Sequence, residues 1–167
     1  MNVYMMQDTC VLLLIADGFQ ADVLREMTRS FCQYGLHVRL LAPIGGQVLG
    51  EDGSKLEADY TLANINKLLK SDVKFSVALP DGELALNHLC IDPRVHAFLE
   101  ELVSLGGQII TGVSGLTLLN KANLWASVEK TGDLPHPNPI LLHQPNTPYV
   151  ELVQAFVSHN NAQAQPA

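Results

Sequence analysis

Residues 10–43 read CVLLLIADGFQADVLREMTRSFCQYGLHVRLLAP, and their pattern decides the fold. The run Cys10–Ala16 is apolar throughout and stops at Asp17-Gly18, which predicts a strand buried on both faces. From Ala21 onward, apolar residues recur at helical spacing, and Gly35 is placed to end that helix. The segment LHVRLLAP then reads as a second strand. Strand, helix and strand form a βαβ unit, whose crossover is almost always right-handed.

The rest of the chain continues this alternation. The further predicted elements are a β-hairpin around Glu51-Asp52-Gly53, a strand within 75–82, a helix from Asp92 to Gly106, a strand over 108–111, a short strand over 139–144 and a helix from Thr147. Alternating strands and helices predict an α/β fold, a three-layer flavodoxin-like sandwich whose mostly parallel sheet carries helices on both faces. We expect an N-terminal extension over 1–8, one domain over 9–159 and a disordered tail over 160–167.

Composition and charge exclude several classes of protein. The chain of 167 residues is 47% hydrophobic and 16% charged, which indicates a folded globule. Its net charge is −7, and its 10 basic residues are scattered, so nucleic acid and membrane surfaces are not expected partners. No apolar run approaches the about 20 residues that span a bilayer, and the first residues lack the basic segment expected of a signal peptide. We therefore expect a cytoplasmic protein.

The cysteines and histidines indicate no cofactor or metal. Cys10, Cys32 and Cys90 are far apart in the sequence, which suits reduced thiols rather than a disulfide or zinc framework. Four histidines are candidate metal ligands: His88, His96, His136 and His143. No two of them are separated by the interval that would place both on one helix face, as in His-x-x-x-His, so we expect no metal site.

A small-molecule crevice is predicted at the carboxyl ends of the strands. In parallel sheets of this class, ligands bind where the loops leave those ends. The residues expected there are Asp17, Gly18, Gln20, Asp81, Gly82, Gly112, Ser114 and Gly115, with Glu83 beside them. Turn formation and helix capping are the alternative roles for the acidic residues.

The order of these motifs resembles that of the ThiJ/PfpI superfamily, which has a class I glutamine amidotransferase-like, flavodoxin-like fold. LLLIADGFQADVLREM is similar to its opening strand and helix, ALPDG to its Pro-Gly-Gly turn, and IITGVSGLTLL to the turn that carries its reactive cysteine and an adjacent histidine. The likeness spans roughly residues 9–158. It implies a nucleophile at the strand-to-helix turn and a carboxylic acid contributed by the first helix.

The residues at the reactive positions depart from that pattern. Val113 occupies the cysteine position, Ser114 the histidine position and Val23 the acidic position, with Gln20 where a neighbouring glutamate would be. An aliphatic side chain forms no covalent intermediate, so the family's deglycase, glyoxalase and amidase chemistry is not expected. The sequence resembles most the C-terminal domain of large-subunit catalases, in which this site is erased. That resemblance implies a structural, assembly or chaperone-like role, linked to oxidative stress.

Two displaced nucleophiles remain as alternatives. GVSG, over Gly112–Gly115, resembles part of a nucleophile elbow, although we expect Ser114 to be a helix N-cap. Cys90 follows His88 by two residues, a spacing that does not usually bring side chains together.

A small-molecule sensor is the third hypothesis. Phe19, Trp125, Tyr149 and Phe156 are expected in the core or at an interface, and a homo-oligomer that binds protein clients or a small-molecule ligand is the expected assembly.

Overall fold

A computed structural model describes residues 9–71, 73–124 and 140–163; the predicted extension over 1–8, together with Trp125 and His136, lies outside them. The strands are β1 (Cys10–Leu14), β2 (His37–Ala42), β3 (Gln47–Leu49), β4 (Lys55–Glu57), β5 (Tyr60–Thr61), β6 (Phe75–Leu79), β7 (Gln108–Gly112) and β8 (Ile140–His143). The helices are α1 (Ala21–Gln33), α2 (Asn66–Leu69), α3 (Glu83–Cys90), α4 (Pro93–Ser104), α5 (Leu116–Lys121) and α6 (Tyr149–Gln163).

Six of the described strands form a sheet in the order β5-β2-β1-β6-β7-β8, and β3 and β4 pair antiparallel as a separate hairpin. Every pairing in this sheet is parallel. The chain first winds outward from β1 through β2 to β5, then returns to the middle and winds the other way through β6, β7 and β8. The direction therefore reverses between β1 and β6, and the loops that follow these two strands flank the reversal. The predicted α/β class with a mostly parallel sheet is confirmed.

Helices cover the two faces of the sheet in separate groups. Because parallel crossovers are right-handed, the crossover helices of the two windings lie on opposite faces. Helix α6 follows the last strand and is not a crossover. Helix α1 contacts α6 on one face, whereas α3, α4 and α5 contact one another on the other face. Phe31 and Phe156 join α1 to α6 as an edge-to-face pair with centroids 6.2 Å apart. The three-layer arrangement follows from this division.

The core is centred on β1. Val11, Leu12 and Leu13 are 0% exposed, as expected of a strand covered on both faces. Each such side chain contributes about 1.5–3 kcal/mol when it is buried. The expected end of α1 is also confirmed, since Gly35 has φ +75° immediately beyond the helix cap.

Three local features differ from the sequence reading. Residues 83–90 form a full helix, and a short helix covers 66–69, although neither shows a strong apolar periodicity. Helix α6 begins at Tyr149, so Thr147 is not adjacent to it, and it continues to Gln163, beyond residue 159 where we ended the domain. Alanine and glutamine at 162 and 163 favour helix, which explains the extension.

Among the described residues, no helix is long and apolar enough to cross a membrane.

The contact between Phe31 and Phe156 predicts how strongly α6 is attached. Phe156→Ala should lower the free energy of unfolding by about 3–5 kcal/mol, because both rings are at most 1% exposed and a cavity would remain. Phe156→Leu keeps most of the volume and should cost clearly less. Urea denaturation measures both values. Equal midpoints for the wild type and Phe156→Ala would show that α6 does not pack on α1 in this way.

Candidate functional site

The centre of the candidate site is the sharp bend between β7 and α5. Strand β7 ends at Gly112, a single 3-10 turn covers Val113–Gly115, and α5 begins at Leu116. We call residues 112–115 the elbow. It leaves the sheet at the carboxyl end of β7, next to the loop that follows β6.

Close approach explains two glycines of the elbow. A Cβ at Gly112 would lie 2.7 Å from Oδ1 of Asp81, and a Cβ at Gly115 would overlap the hydroxyl of Thr111. The elbow is therefore pressed against both its own strand and the β6–α3 loop. This contact places the side chain of Asp81 directly over the elbow.

Asp81 is the hub of a small hydrogen-bond network. The hydroxyl of Ser114 donates to Oδ1 of Asp81 at 2.6 Å, and the phenol of Tyr149 donates to Oδ2 at 2.7 Å. One carboxylate thus joins the β6–α3 loop, the elbow and the first residue of α6. Hydrogen bonds to a charged acceptor are stronger than neutral ones, so this contact stabilises the relative position of three elements.

Tyr149 is held in its neutral form. Its pKa is raised far above the ordinary value, first by burial, then by the hydrogen bond and the charge of Asp81, with a smaller effect from Glu26. An anionic phenolate beside these carboxylates would be repelled by both. Tyr149 therefore acts as a hydrogen-bond donor and does not supply a base.

His143 lies beside this network but does not complete a catalytic arrangement. Its ring stacks on that of Tyr149, with centroids 4.7 Å apart and planes at 21°. Its Nε2 is 2.6 Å from the carbonyl of Thr147, and since a carbonyl only accepts, that nitrogen carries the proton. For His143 to act as the general base of Ser114 it would have to bond the serine hydroxyl, which instead donates to Asp81.

The three departures from the reactive pattern are visible in the fold. Val113 stands at the bend with 51% of its surface exposed, in the position expected for a nucleophile. Val23 is half-buried and packs against the hydrophobic core. Ser114 was expected to cap a helix, and this is wrong: it lies within the 3-10 turn, and its hydroxyl bonds Asp81 instead of a backbone amide.

The predicted crevice residues divide between two places. Asp81, Gly112, Ser114 and Gly115 meet at the elbow, and Gly82 adjoins Gln20, since a Cβ on Gly82 would lie 3.6 Å from Cγ of Gln20. Gly18 lies against Leu84 with φ +88°, which leaves no room for a side chain there. The carboxylate of Asp17, however, accepts a hydrogen bond from the backbone N–H of Leu49 at 2.9 Å. Glu83 is exposed at the start of α3.

The second displaced nucleophile is not assembled. Cys90 is 7% exposed, and burial raises the pKa of its thiol, which disfavours the reactive thiolate. His88 is two residues away, and its Nδ1 lies 2.8 Å from the carbonyl of Asp17. His96 uses Nε2 to bond the carbonyl of Cys90. Within the described part of the chain, no cluster of three or more metal-ligating side chains is present.

Sequence reasoning missed Tyr149 and His143 as members of the site. Tyr149 occurs in an apolar helical pattern, and we assigned it to the core or an interface. The strand over 139–144 was predicted, but nothing in its sequence places His143 beside the elbow. The parallel pairing of β7 with β8, which sets Gly112 opposite His143, brings the two segments together.

Comparison with known proteins supports the fold independently. No protein-family model matches the sequence, and no curated protein matches it. Solved structures do match. An oxidized DJ-1 from Toxoplasma gondii is 15% identical with TM-score 0.70, covering 93% of both chains. A cysteine-to-alanine variant of a DJ-1 superfamily protein from Salmonella typhimurium is 17% identical with TM-score 0.71, covering 93% of this chain and 95% of that one.

A ThiJ/PfpI domain protein from Brachyspira murdochii gives the same result at 13% identity and TM-score 0.70, covering 93% of this chain and 98% of that one. Identities this low show the fold and leave the function open. The chain therefore has the flavodoxin-like fold of DJ-1/ThiJ/PfpI proteins, as the sequence motifs predicted.

The Asp81 network makes a spectroscopic prediction. One tyrosine should resist ionisation near pH 10, where unperturbed tyrosines titrate, and Tyr149→Phe should remove that resistant group from an ultraviolet pH titration. Asp81→Asn removes the charge but keeps an acceptor, so the pKa of Tyr149 should fall. Because the folded pKa of Tyr149 is raised, its stabilising effect is present below pH 10 and is lost as the pH rises above it. An unchanged titration in Asp81→Asn would contradict the described contact.

Proposed function

We propose that this protein is a non-catalytic member of the DJ-1/ThiJ/PfpI superfamily with a structural, assembly or chaperone-like role. The observation that carries the proposal is an exposed Val113 at the elbow, flanked by hydroxyls that are both bonded to Asp81. A covalent mechanism needs a nucleophile at the bend and a base or acid that activates it. Valine supplies no electron pair, and Val23 supplies no acid.

The side chain at position 113 bears on any role in oxidative stress. Among the comparison structures, one is of an oxidized DJ-1 and another carries alanine in place of a cysteine. The sequence resemblance assigns the reactive cysteine of this superfamily to the position of Val113. A protein without that thiol cannot undergo thiol oxidation at the elbow. We therefore propose that any link to oxidative stress operates through binding or assembly and not through oxidation of this site.

The surface around the elbow supports a binding role. Three exposed apolar side chains belong to the segments that the Asp81 network joins or directly follow them: Leu84 (53%), Val113 (51%) and Val150 (37%). Leu84 lies three residues after Asp81, and Val150 follows Tyr149. We call these three residues the elbow patch. Apolar groups around a fixed hydrogen-bond network offer a surface for unfolded or partner segments, in keeping with the predicted likeness to the catalase C-terminal domain.

A second candidate function rests on one distance. The Ser114 hydroxyl lies 2.6 Å from Asp81, so a carboxylate could accept its proton during acyl transfer. Acyl transfer is disfavoured because the carboxylate is shared with Tyr149 and, among the described residues, no histidine bonds the serine. Ser114→Ala separates the two functions.

Turnover assays test the catalytic part of the proposal. Methylglyoxal and a panel of activated esters and amides should give no turnover above background in the wild type, Ser114→Ala or Cys90→Ala, because we find no activated nucleophile in the part of the chain that the structure describes. A cysteine-bearing protein of the same fold serves as the positive control. Wild-type activity abolished by either substitution would establish a displaced nucleophile. Activity that survives both would also overturn the proposal.

An aggregation assay tests the binding part. The wild type should suppress light scattering by a heat-denatured client protein at stoichiometric amounts. Val113→Asp combined with Leu84→Gln should reduce this suppression severalfold, because it makes the elbow patch polar. Leu105→Gln is the matched control, since Leu105 is 59% exposed beyond the end of α4. Equal loss in the control, or no suppression by the wild type, would contradict a chaperone-like role for this surface.

A cytoplasmic location and a homo-oligomeric state belong to the same proposal. Light scattering coupled to size-exclusion chromatography measures the oligomeric state directly. A monomer across the micromolar range would remove the oligomer from the proposal and leave the account of the elbow unchanged.

A further inference from the structure

A second concave site lies on the other side of the sheet reversal. A groove of about 710 Å³ is formed where β1 and β2 end and where α3 passes into α4. Its volume is within the about 300–1,000 Å³ typical of small-molecule sites. None of Asp81, Gly112, Ser114 and Tyr149 lines it. We call it the β1–β2 groove.

The walls of the groove are apolar. Pro43, Ile44 and Val48 form the side that follows β2, and Ile91 forms the opposite side at the end of α3. Ile44 is 66% exposed and Ile91 is 73% exposed, so two large aliphatic side chains of one groove face solvent. A ligand that covers them would remove this apolar area from water, which is favourable.

Two acceptors lie among these apolar residues. One carboxylate oxygen of Asp17 accepts the N–H of Leu49 at 2.9 Å, whereas the other oxygen has no partner among the described residues. His88 contacts the carbonyl of Asp17 through Nδ1 at 2.8 Å. Because that carbonyl only accepts, Nδ1 carries a proton, and Nε2 is an acceptor in the tautomer that has this single proton. The available polar groups therefore favour a ligand that donates.

The basic residue of the groove is already neutralised. Arg94 donates through Nε and Nη2 to the two carboxylate oxygens of Asp92, at 3.0 and 2.6 Å. Asp92 also accepts the backbone N–H of Arg94, which occupies a free amide at the start of α4. The groove thus offers neither an unpaired cation nor an open helix N-terminus, and an anionic ligand is disfavoured.

We propose that the β1–β2 groove binds a small amphiphilic amine, an apolar ring system that carries an ammonium group. The ring body lies between Ile44 and Ile91, and the ammonium donates to the free oxygen of Asp17 and to Nε2 of His88. The net charge of −7 adds a general attraction for cations. This site goes beyond the proposed function, and its failure leaves the account of the elbow unchanged.

Nuclear magnetic resonance titration tests the proposal with two matched probes. Tryptamine and 3-indolepropionate share the indole ring but carry opposite charges. Titrating the ¹⁵N-labelled protein with tryptamine should shift the amide signals of residues 44–49 and 91–94 and leave those of residues 112–115 unchanged. The carboxylate probe should produce much smaller shifts. Equal binding of both probes, or shifts centred on the elbow, would overturn the assignment.

Two pairs of variants sharpen the test. Asp17→Asn removes the charge but can still accept the N–H of Leu49, and it should weaken tryptamine binding about fivefold. Asp59→Asn is the control, because an oxygen of Asp59 likewise accepts a backbone N–H, that of Leu40, at 2.7 Å, and Asp59 does not line the groove. An unchanged Kd in Asp17→Asn would overturn the assignment, as would an equal loss in the control.

The apolar contact is tested in the same way. Ile91→Ala should weaken tryptamine binding several-fold, whereas Leu105→Ala, at an aliphatic site that is also exposed but lies outside the groove, should not. Thermal unfolding of each variant establishes that it is folded before its Kd is compared. Wild-type affinity in Ile91→Ala would contradict a ligand that covers this side chain.

Discussion

The constraint on which the structure depends is the complete burial of β1. Its residues Val11–Leu14 are at most 1% exposed, and β2 and β6 pair with it on its two edges. A strand enclosed in this way requires helices on both faces of the sheet, and right-handed crossovers then determine on which face each helix lies. The two windings of the chain begin on opposite sides of β1. The loops that follow β1 and β6 therefore lie together at the carboxyl ends of the strands.

The elbow lies at this end of the strands, beside the loop that follows β6. The fold supplies a bend after β7, a helix behind it and a neighbouring loop in contact with it. These features orient whatever side chain stands at the bend. Here the bend presents Val113, and the adjacent loop contributes Asp81, whose carboxylate accepts hydrogen bonds from Ser114 and Tyr149. The arrangement that would expose a nucleophile instead stabilises the joint between the elbow and α6.

The reversal of strand order also separates two sites that the sequence predicted as one crevice. Asp17 and Asp81 both follow buried strands, so their loops lie at the same end of the sheet. Asp17 bonds Leu49 of the hairpin, and its carbonyl contacts His88, which places it in the β1–β2 groove. Asp81 bonds residues on the opposite side of the reversal. A single crevice is thus replaced by a closed hydrogen-bonded elbow and an open apolar groove.

The sequence by itself determined the α/β class, most element positions and the identity of the residue at the predicted bend, Val113. Apolar runs and helical spacing are local properties, and they are strong at Cys10–Ala16 and in α1 and α4. The identity of Val113 needed no structure, because an aliphatic side chain lacks a nucleophile in any conformation. Helix α3 was harder to see because its pattern is irregular. Only the tertiary structure decided that Ser114 bonds Asp81 and that Tyr149 and His143 reach the elbow, because these contacts join segments distant in sequence, and strand order and pairing determine which of them meet.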